Sequence, residues 1–184
     1  MSKPALIVID IQNDYFPGGK WPLAGVEAAA DNAARLIAAA RQAGELVVHV
    51  RHEFADADAP FFAPGSAGAQ LHPKVLNRPE EPVVLKHAVN AFHNTELKAL
   101  LEQHNIDELV IAGSMSNMCI EGATRAAADF GYPVTVIHDA CACRELEFDG
   151  QVVPAQEVHL AAMASLAFAY AKVLPTDEFL ANRG

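Results

Sequence analysis

Leu109-Val-Ile-Ala-Gly-Ser-Met-Ser-Asn-Met-Cys119-Ile-Glu-Gly-Ala-Thr-Arg-Ala-Ala-Ala-Asp-Phe130-Gly131 is the stretch that decides the fold. Leu109–Ala112 is a compact apolar run of strand length, ended by Gly113. Met118–Phe130 then carries the spacing of an Ala-rich helix, and Gly131 supplies its stop signal. A strand that turns through a Gly/Ser corner into a helix is half of a β-α-β unit, and the same unit recurs outward in both directions.

Ala5–Ile9, Leu46–Val50, Val83–Leu85 and Val134–Ile137 repeat the strand signal, with Lys172–Leu174 a weaker sixth. Val26–Ala43 (closed by Gly44), Thr95–His104 and Pro154–Tyr170 repeat the helical one. Strands alternating with helices predict an α/β domain with a parallel sheet and right-handed crossovers. In such sheets ligands bind beyond the carboxyl ends of the strands, where strand order reverses.

The chain has 184 residues, 52% of them hydrophobic and 20% charged, which suits one folded domain (residues 1–184) with a real core and excludes a disordered chain. Thirteen Lys plus Arg against 23 Asp plus Glu give a net charge of −10. That field repels phosphate backbones and anionic lipid, so neither nucleic acid nor a membrane is an expected partner. The three cysteines, Cys119, Cys141 and Cys143, are too few and too odd for a disulfide framework and fit a reducing compartment. The apolar run before Asp10 is too short for a signal peptide, and Leu160–Ala171 is too short to span a bilayer. A cytoplasmic protein is expected.

One segment breaks the alternation. His52–Pro82 has little periodicity and carries five prolines, Pro60, Pro64, Pro73, Pro79 and Pro82, around Phe61-Phe62-Ala-Pro-Gly-Ser. A connection this long inside a compact domain is usually functional, and it reads as a wall of the pocket. Gly18-Gly19 and Gly65–Gly68 lack the strand-to-helix context of a dinucleotide fingerprint.

Reading along the strand ends places three reactive side chains on one rim: Asp10 after the first strand, Lys86 after the third, Cys119 after the fourth. A thiol at a helix N-terminus lies in the positive end of the helix dipole, which favours a thiolate nucleophile. Unpaired N–H groups of the same turn can face an oxyanion. A carboxylate beside the thiol can shuttle its proton, and an ammonium can stabilise both charges. Taken singly these residues have ordinary readings: a small core cysteine, a loop-capping aspartate, a solvated lysine. Their shared location carries the inference. His49, His52 and Glu53 are zinc-type ligands, yet in an extended strand His49 and His52 face opposite ways, so no metal site is expected. Cys141 and Cys143 are expected to pack near the site. Phe16, Trp21, Phe61 and Phe62 are candidate pocket walls, and Gln12 a candidate substrate contact.

Leu6-Ile-Val-Ile-Asp-Ile-Gln-Asn-Asp-Tyr-Phe16, Lys86 followed by Ala91-Phe-His-Asn-Thr95, Val110-Ile-Ala-Gly-Ser-Met-Ser-Asn-Met-Cys-Ile120, Gly131-Tyr132 and His138-Asp-Ala140 together resemble the isochorismatase-like cysteine hydrolase superfamily. The resemblance runs in order from about residue 4 to 180. It implies a doubly wound three-layer α/β/α sandwich around a six-stranded, mainly parallel sheet. It also implies an Asp10–Lys86–Cys119 triad, and a non-proline cis peptide at Ser114-Met115 that turns the Met115 N–H toward the oxyanion beside that of Cys119. Within the superfamily, ether-cleaving isochorismatases commonly lack the cysteine and nicotinamidases typically carry an Asp-x-His metal pair. This chain keeps Cys119 and has His49-Val-Arg-His-Glu53 instead. The resemblance therefore implies a cofactor-free, metal-free amidohydrolase acting on a small molecule, related to the hydrolases of streptothricin-type antibiotics and assembled as a homodimer or homotetramer. Vinyl-ether hydrolysis by Asp10 alone, or a silent oligomeric binding protein, are the alternatives.

Overall fold

In the computed structural model, which describes residues 2–183, Ala5, Ile7 and Ile9 point to one side of the first strand, β1 (Pro4–Ile9), and Leu6 and Val8 to the other. Both sets are buried, as expected of a strand in the middle of a parallel sheet covered on both faces. The other strands are β2 (Leu46–His52), β3 (Val83–Lys86), β4 (Glu108–Ser114), β5 (Val134–Ala142) and β8 (Lys172–Leu174). They order as β3-β2-β1-β4-β5-β8, and every neighbouring pair is parallel. Strand order reverses between β1 and β4, so their carboxyl ends open the crevice where such sheets hold ligands.

Leu6, Val8, Val110 and Ala112 pack under α1 (Val26–Ala43) and α5 (Thr176–Ala181). Ala5, Ile7, Ile9, Leu109 and Ile111 pack under α2 (Leu97–Gln103), α3 (Glu121–Asp129) and α4 (Ala155–Ala169). The three-layer α/β/α sandwich with a six-stranded parallel sheet is thus present. In α1 the Ala29, Ala30, Ala33, Leu36, Ile37 and Ala40 spacing makes one apolar stripe that faces the sheet. Gly44, at φ 69°, caps that helix and its N–H returns to the carbonyls of Ala40 and Arg41. No helix among the described residues is long and apolar enough to cross a membrane.

Several boundaries differ from the sequence reading, each for a local reason. Met118–Phe130 is not one helix: a π-helical turn, Ser116–Ile120, precedes α3. The expected helix over Thr95–His104 begins at Leu97, because the Thr95 hydroxyl bonds the Ala91 carbonyl and receives the Leu97 N–H. β5 continues through Cys141 and Ala142, which pair with Gly113 and Ser114 after a register shift. A hairpin of β6 (Leu146–Phe148) and β7 (Gln151–Val153), and the short helix α5, gave no periodic signal. The long connection after β2 is anchored by Phe62, Ala69 and Val75, all buried, by short 3-10 turns at Ala67–Ala69 and Pro73–Val75, and by a bridge from Leu71 to Gln12.

Gly113 sets how closely β4 can approach the end of β1. Its φ is 130°, and a Cβ there would fall 1.9 Å from the Ile9 carbonyl oxygen. No side chain fits, so β4 would have to withdraw from the strand that presents Asp10. Replacing Gly131 (φ 90°, open surroundings) costs only the backbone strain. In urea unfolding, Gly131→Ala should lose about 1–2 kcal/mol and Gly113→Ala clearly more, at least about 3 kcal/mol. Equal losses would show that the close approach at Ile9 is not a constraint.

Candidate active site

Asp10 is the first residue after β1, and its N–H donates to the Val50 carbonyl at 2.9 Å, tying it to β2. Its φ is 52°, a left-handed conformation that few non-glycine residues hold outside functional positions. Lys86 ends β3, where it pairs in register with His52 at the end of β2. Neighbours in parallel register project to the same face, so the two side chains travel together to the carboxyl rim. Cys119 comes from the π-helical turn that follows β4. There the Met118 and Ile120 N–H groups both donate to the Met115 carbonyl, at 3.1 and 3.2 Å. The Ser114–Met115 peptide is cis.

These side chains converge on the Lys86 ammonium. Nζ donates to His52 Nδ1 at 2.8 Å, to the Ala88 carbonyl at 3.0 Å and to Cys119 Sγ at 3.3 Å. Asp10 Oδ2 lies 2.8 Å away as an ion pair without the alignment of a hydrogen bond, and Oδ1 has no partner among the described residues. The cluster is sealed: Asp10 and Lys86 are fully buried and Cys119 is 4% exposed.

Burial and charge set the protonation states. Burial raises the Asp10 pKa, and the attraction of Lys86 only partly offsets it. For Lys86 burial acts downward, but Asp10 and Cys119 outweigh it and the ammonium is held charged. Cys119 is pushed up to about 12, by burial first and by the Asp10 charge second. The expected dipole-stabilised thiolate is therefore corrected. Cys119 sits in a π-helical turn ahead of α3, facing a carboxylate, and rests as a thiol with a base beside it. Burial, then the Asp10 and Cys119 charges, also raise the Tyr15 hydroxyl well above its usual range.

The other candidates divide. Gln12 is buried and fully committed to backbone: its amide nitrogen donates to the His52 and Ala69 carbonyls at 2.8 and 2.7 Å, and its oxygen accepts from the His52 N–H at 2.9 Å. It splices the long connection to β2 instead of facing a ligand. Phe16 is also in the core, stacked on His72 with ring centroids 3.5 Å apart. Phe61 stays half-buried between Trp21 (4.7 Å), Phe62 (5.0 Å) and Phe54 (5.1 Å), and the Arg144 guanidinium lies over the Trp21 ring at 4.3 Å. Phe62 itself is completely buried. Cys141 and Cys143 are free thiols that donate to the Ile137 and Ala155 carbonyls. Both line a cavity of about 380 Å³ between β5 and the starts of α1 and α4.

His52 is the residue that the sequence reading missed. His49 turns away to Glu81 at 3.2 Å and Glu53 pairs with Arg51 at 2.9 Å, so the His49/His52/Glu53 trio does not assemble. His52 instead joins Asp10 and Cys119, each offering a ligand atom within 4.8 Å of the others. That donor set would suit zinc. The cation it surrounds is the Lys86 ammonium, at bonding distance from all three.

Comparison with known proteins identifies the family. A family model for the isochorismatase domain matches residues 4–178. An isochorismatase family protein of Bacillus subtilis (strain 168), YddQ, is 45% identical over 176 residues, covering 96% of this chain and 98% of that protein. Maleamate amidohydrolase of Pseudomonas putida (KT2440) is 31% identical over 154 residues, 74% of this chain and 71% of that enzyme. A crystal structure from Oleispira antarctica assigned to the isochorismatase hydrolases superposes with a TM-score of 0.94 at 54% identity, covering 98% and 97% of the two chains. The match spans β1, β3 and β4, whose ends supply Asp10, Lys86 and the turn to Cys119, and the chain belongs to the isochorismatase family of hydrolases.

Proposed function

We propose that this protein is a cysteine hydrolase that cleaves a carbon–nitrogen amide bond of a small molecule through a thioester on Cys119. The observation that carries the reading is the contact of Cys119 Sγ with the Lys86 ammonium, itself ion-paired to Asp10, in a buried cluster at the strand switch point. The amide chemistry in the name of the maleamate relative supports it.

A thiol that rests protonated needs its base at the moment of attack. Asp10 takes the proton as Sγ adds to the amide carbonyl, which turns the carbonyl oxygen into an oxyanion that the Met115 and Cys119 N–H groups would receive. The Lys86 charge counters the negative charge passing between sulfur and carboxylate. Collapse of the tetrahedral adduct breaks the carbon–nitrogen bond, and the amine leaves with the proton held by Asp10. Water then attacks the thioester, giving one proton to Asp10. Release of the carboxylic acid returns that proton to Sγ.

A screen over nicotinamide, maleamate and ureido compounds, followed by ammonia release, and over cyclic lactams, followed by the new amine that ring opening exposes, should identify a substrate. On it, Cys119→Ala should lose roughly a thousandfold or more in kcat. Undiminished turnover would show that the amide is cleaved without Cys119 and defeat the thioester, and no turnover of any compound by the wild type would point to a silent binding protein.

The direction of the pKa shifts yields a second test. Asp10→Asn removes the charge that disfavours the thiolate, so ultraviolet thiolate absorbance should show Cys119 ionising below about 12 while turnover is lost. Because the working form of Asp10 is the carboxylate and its pKa is raised, wild-type kcat/KM should fall as pH drops, through a value above the ordinary 3.8. A thiol titration unmoved in Asp10→Asn would separate the two groups and defeat the general-base assignment.

A further inference from the structure

The Lys86 ammonium has three protons and three aligned acceptors, His52 Nδ1, the Ala88 carbonyl and Cys119 Sγ. Two of those acceptors have no part in the chemistry of the sulfur. The Ala88 carbonyl is fixed by the chain two residues beyond Lys86. His52 arrives from a different strand, and its position is over-determined. Both of its backbone polar groups are held by the Gln12 amide, its ring packs on Phe54 with centroids 4.7 Å apart, and it stands in register with Lys86.

We infer that His52 is a positioning residue: its Nδ1 takes one ammonium proton and thereby aims another at Cys119 Sγ. This rests on the cysteine-hydrolase reading of the site. An ammonium has no lone pair, so Nδ1 must be the acceptor and the ring must be the neutral tautomer with hydrogen on Nε2. The Lys86 ammonium at Nδ1 and the burial of the ring hold it in that state. Nε2 is buried without a nitrogen or oxygen partner among the described residues, beside Phe54 and Phe62. Burial, Lys86 and His87 hold the imidazole pKa down to about 3, so the ring stays an acceptor across the working range. The charged or titratable groups facing the pair are Asp10 from β1, His87 beyond β3, and Cys119 from the turn after β4.

The geometry explains why a neutral histidine stands where an acid would bind an ammonium more strongly. A second carboxylate would draw Nζ off the thiol and add negative charge where sulfur must become negative. A neutral acceptor directs a proton without competing for the charge.

The acceptor position makes the inference separable from simple packing. In His52→Asn, Oδ1 can take the place of Nδ1; in His52→Gln, Oε1 falls nearer Nε2; His52→Leu fills the space with no acceptor. On the amide identified by the substrate screen, kcat should be roughly 10- to 100-fold lower in the Leu and Gln variants, with KM little changed. His52→Asn should stay within a few-fold of wild type. Nitrogen-15 NMR of the histidine rings should show His52 protonated on Nε2 and unchanged between about pH 5 and 9. A Leu variant as active as wild type, rescue by Gln instead of Asn, or an Nδ1–H tautomer would each overturn the assignment. If Cys119→Ala keeps wild-type turnover, the cysteine-hydrolase reading fails, while the tautomer still decides whether His52 serves Lys86.

Discussion

A lysine ammonium sealed from water is the constraint on which the rest of the structure depends. An unpaired charge at that depth would be prohibitive, and the protein offsets the cost by bringing acceptors to Nζ from separate segments. Asp10 follows β1, His52 and Lys86 end β2 and β3, and Cys119 comes from the turn after β4, so a register slip of β1 or β3 would separate the buried charges. Such a cluster does little for net stability, since a well-packed apolar set could replace it at equal or better stability. What it does is make a single arrangement of the strand ends tolerable. Gly113 belongs to the same constraint, because only a residue without a side chain lets the β4 end draw in against Ile9.

The six parallel strands were legible because strands buried on both faces spell continuous apolar runs, and Val110-Ile-Ala or Val134-Thr-Val-Ile could hardly be anything else between helical segments. What lay outside that rule was invisible. The β6/β7 hairpin consists of two three-residue strands whose side chains are all exposed, so no burial pattern marks it. The π-helical turn was merged with α3 because its residues keep near-helical spacing. Only the contacts of Met115 with two later N–H groups reveal the different winding.

The site shows the same division. Asp10 and Lys86 stand out because each ends an apolar run, where a charged side chain demands an explanation, and Cys119 because it opens a helix just beyond another such run. His52 does not, because the apolar run of β2 ends at Val50; two further residues of pairing bring it level with Lys86. His49 and His52 face opposite ways along the extended strand, and the face that carries His52 is the one it shares with Lys86. Gln12 and Phe16 were near the site in sequence but are consumed by the scaffold, one clamping backbone and the other stacked beneath His72. The sign of the Cys119 shift was beyond sequence reasoning, because burial and the facing carboxylate outweigh a helix end.

The protonated resting state of Cys119 bears on how long the protein survives in an oxidising cell. Peroxides attack thiolates in accessible, electropositive surroundings, and a thiol that ionises near 12 and is only 4% exposed offers neither the charge nor the access. Cys141, likewise pushed up to about 12, and Cys143, also raised, are sheltered in the same way. All three cysteine thiols are thus sheltered by burial, and under the proposed mechanism Cys119 becomes open to oxidative damage only in the interval when a bound molecule draws the proton away.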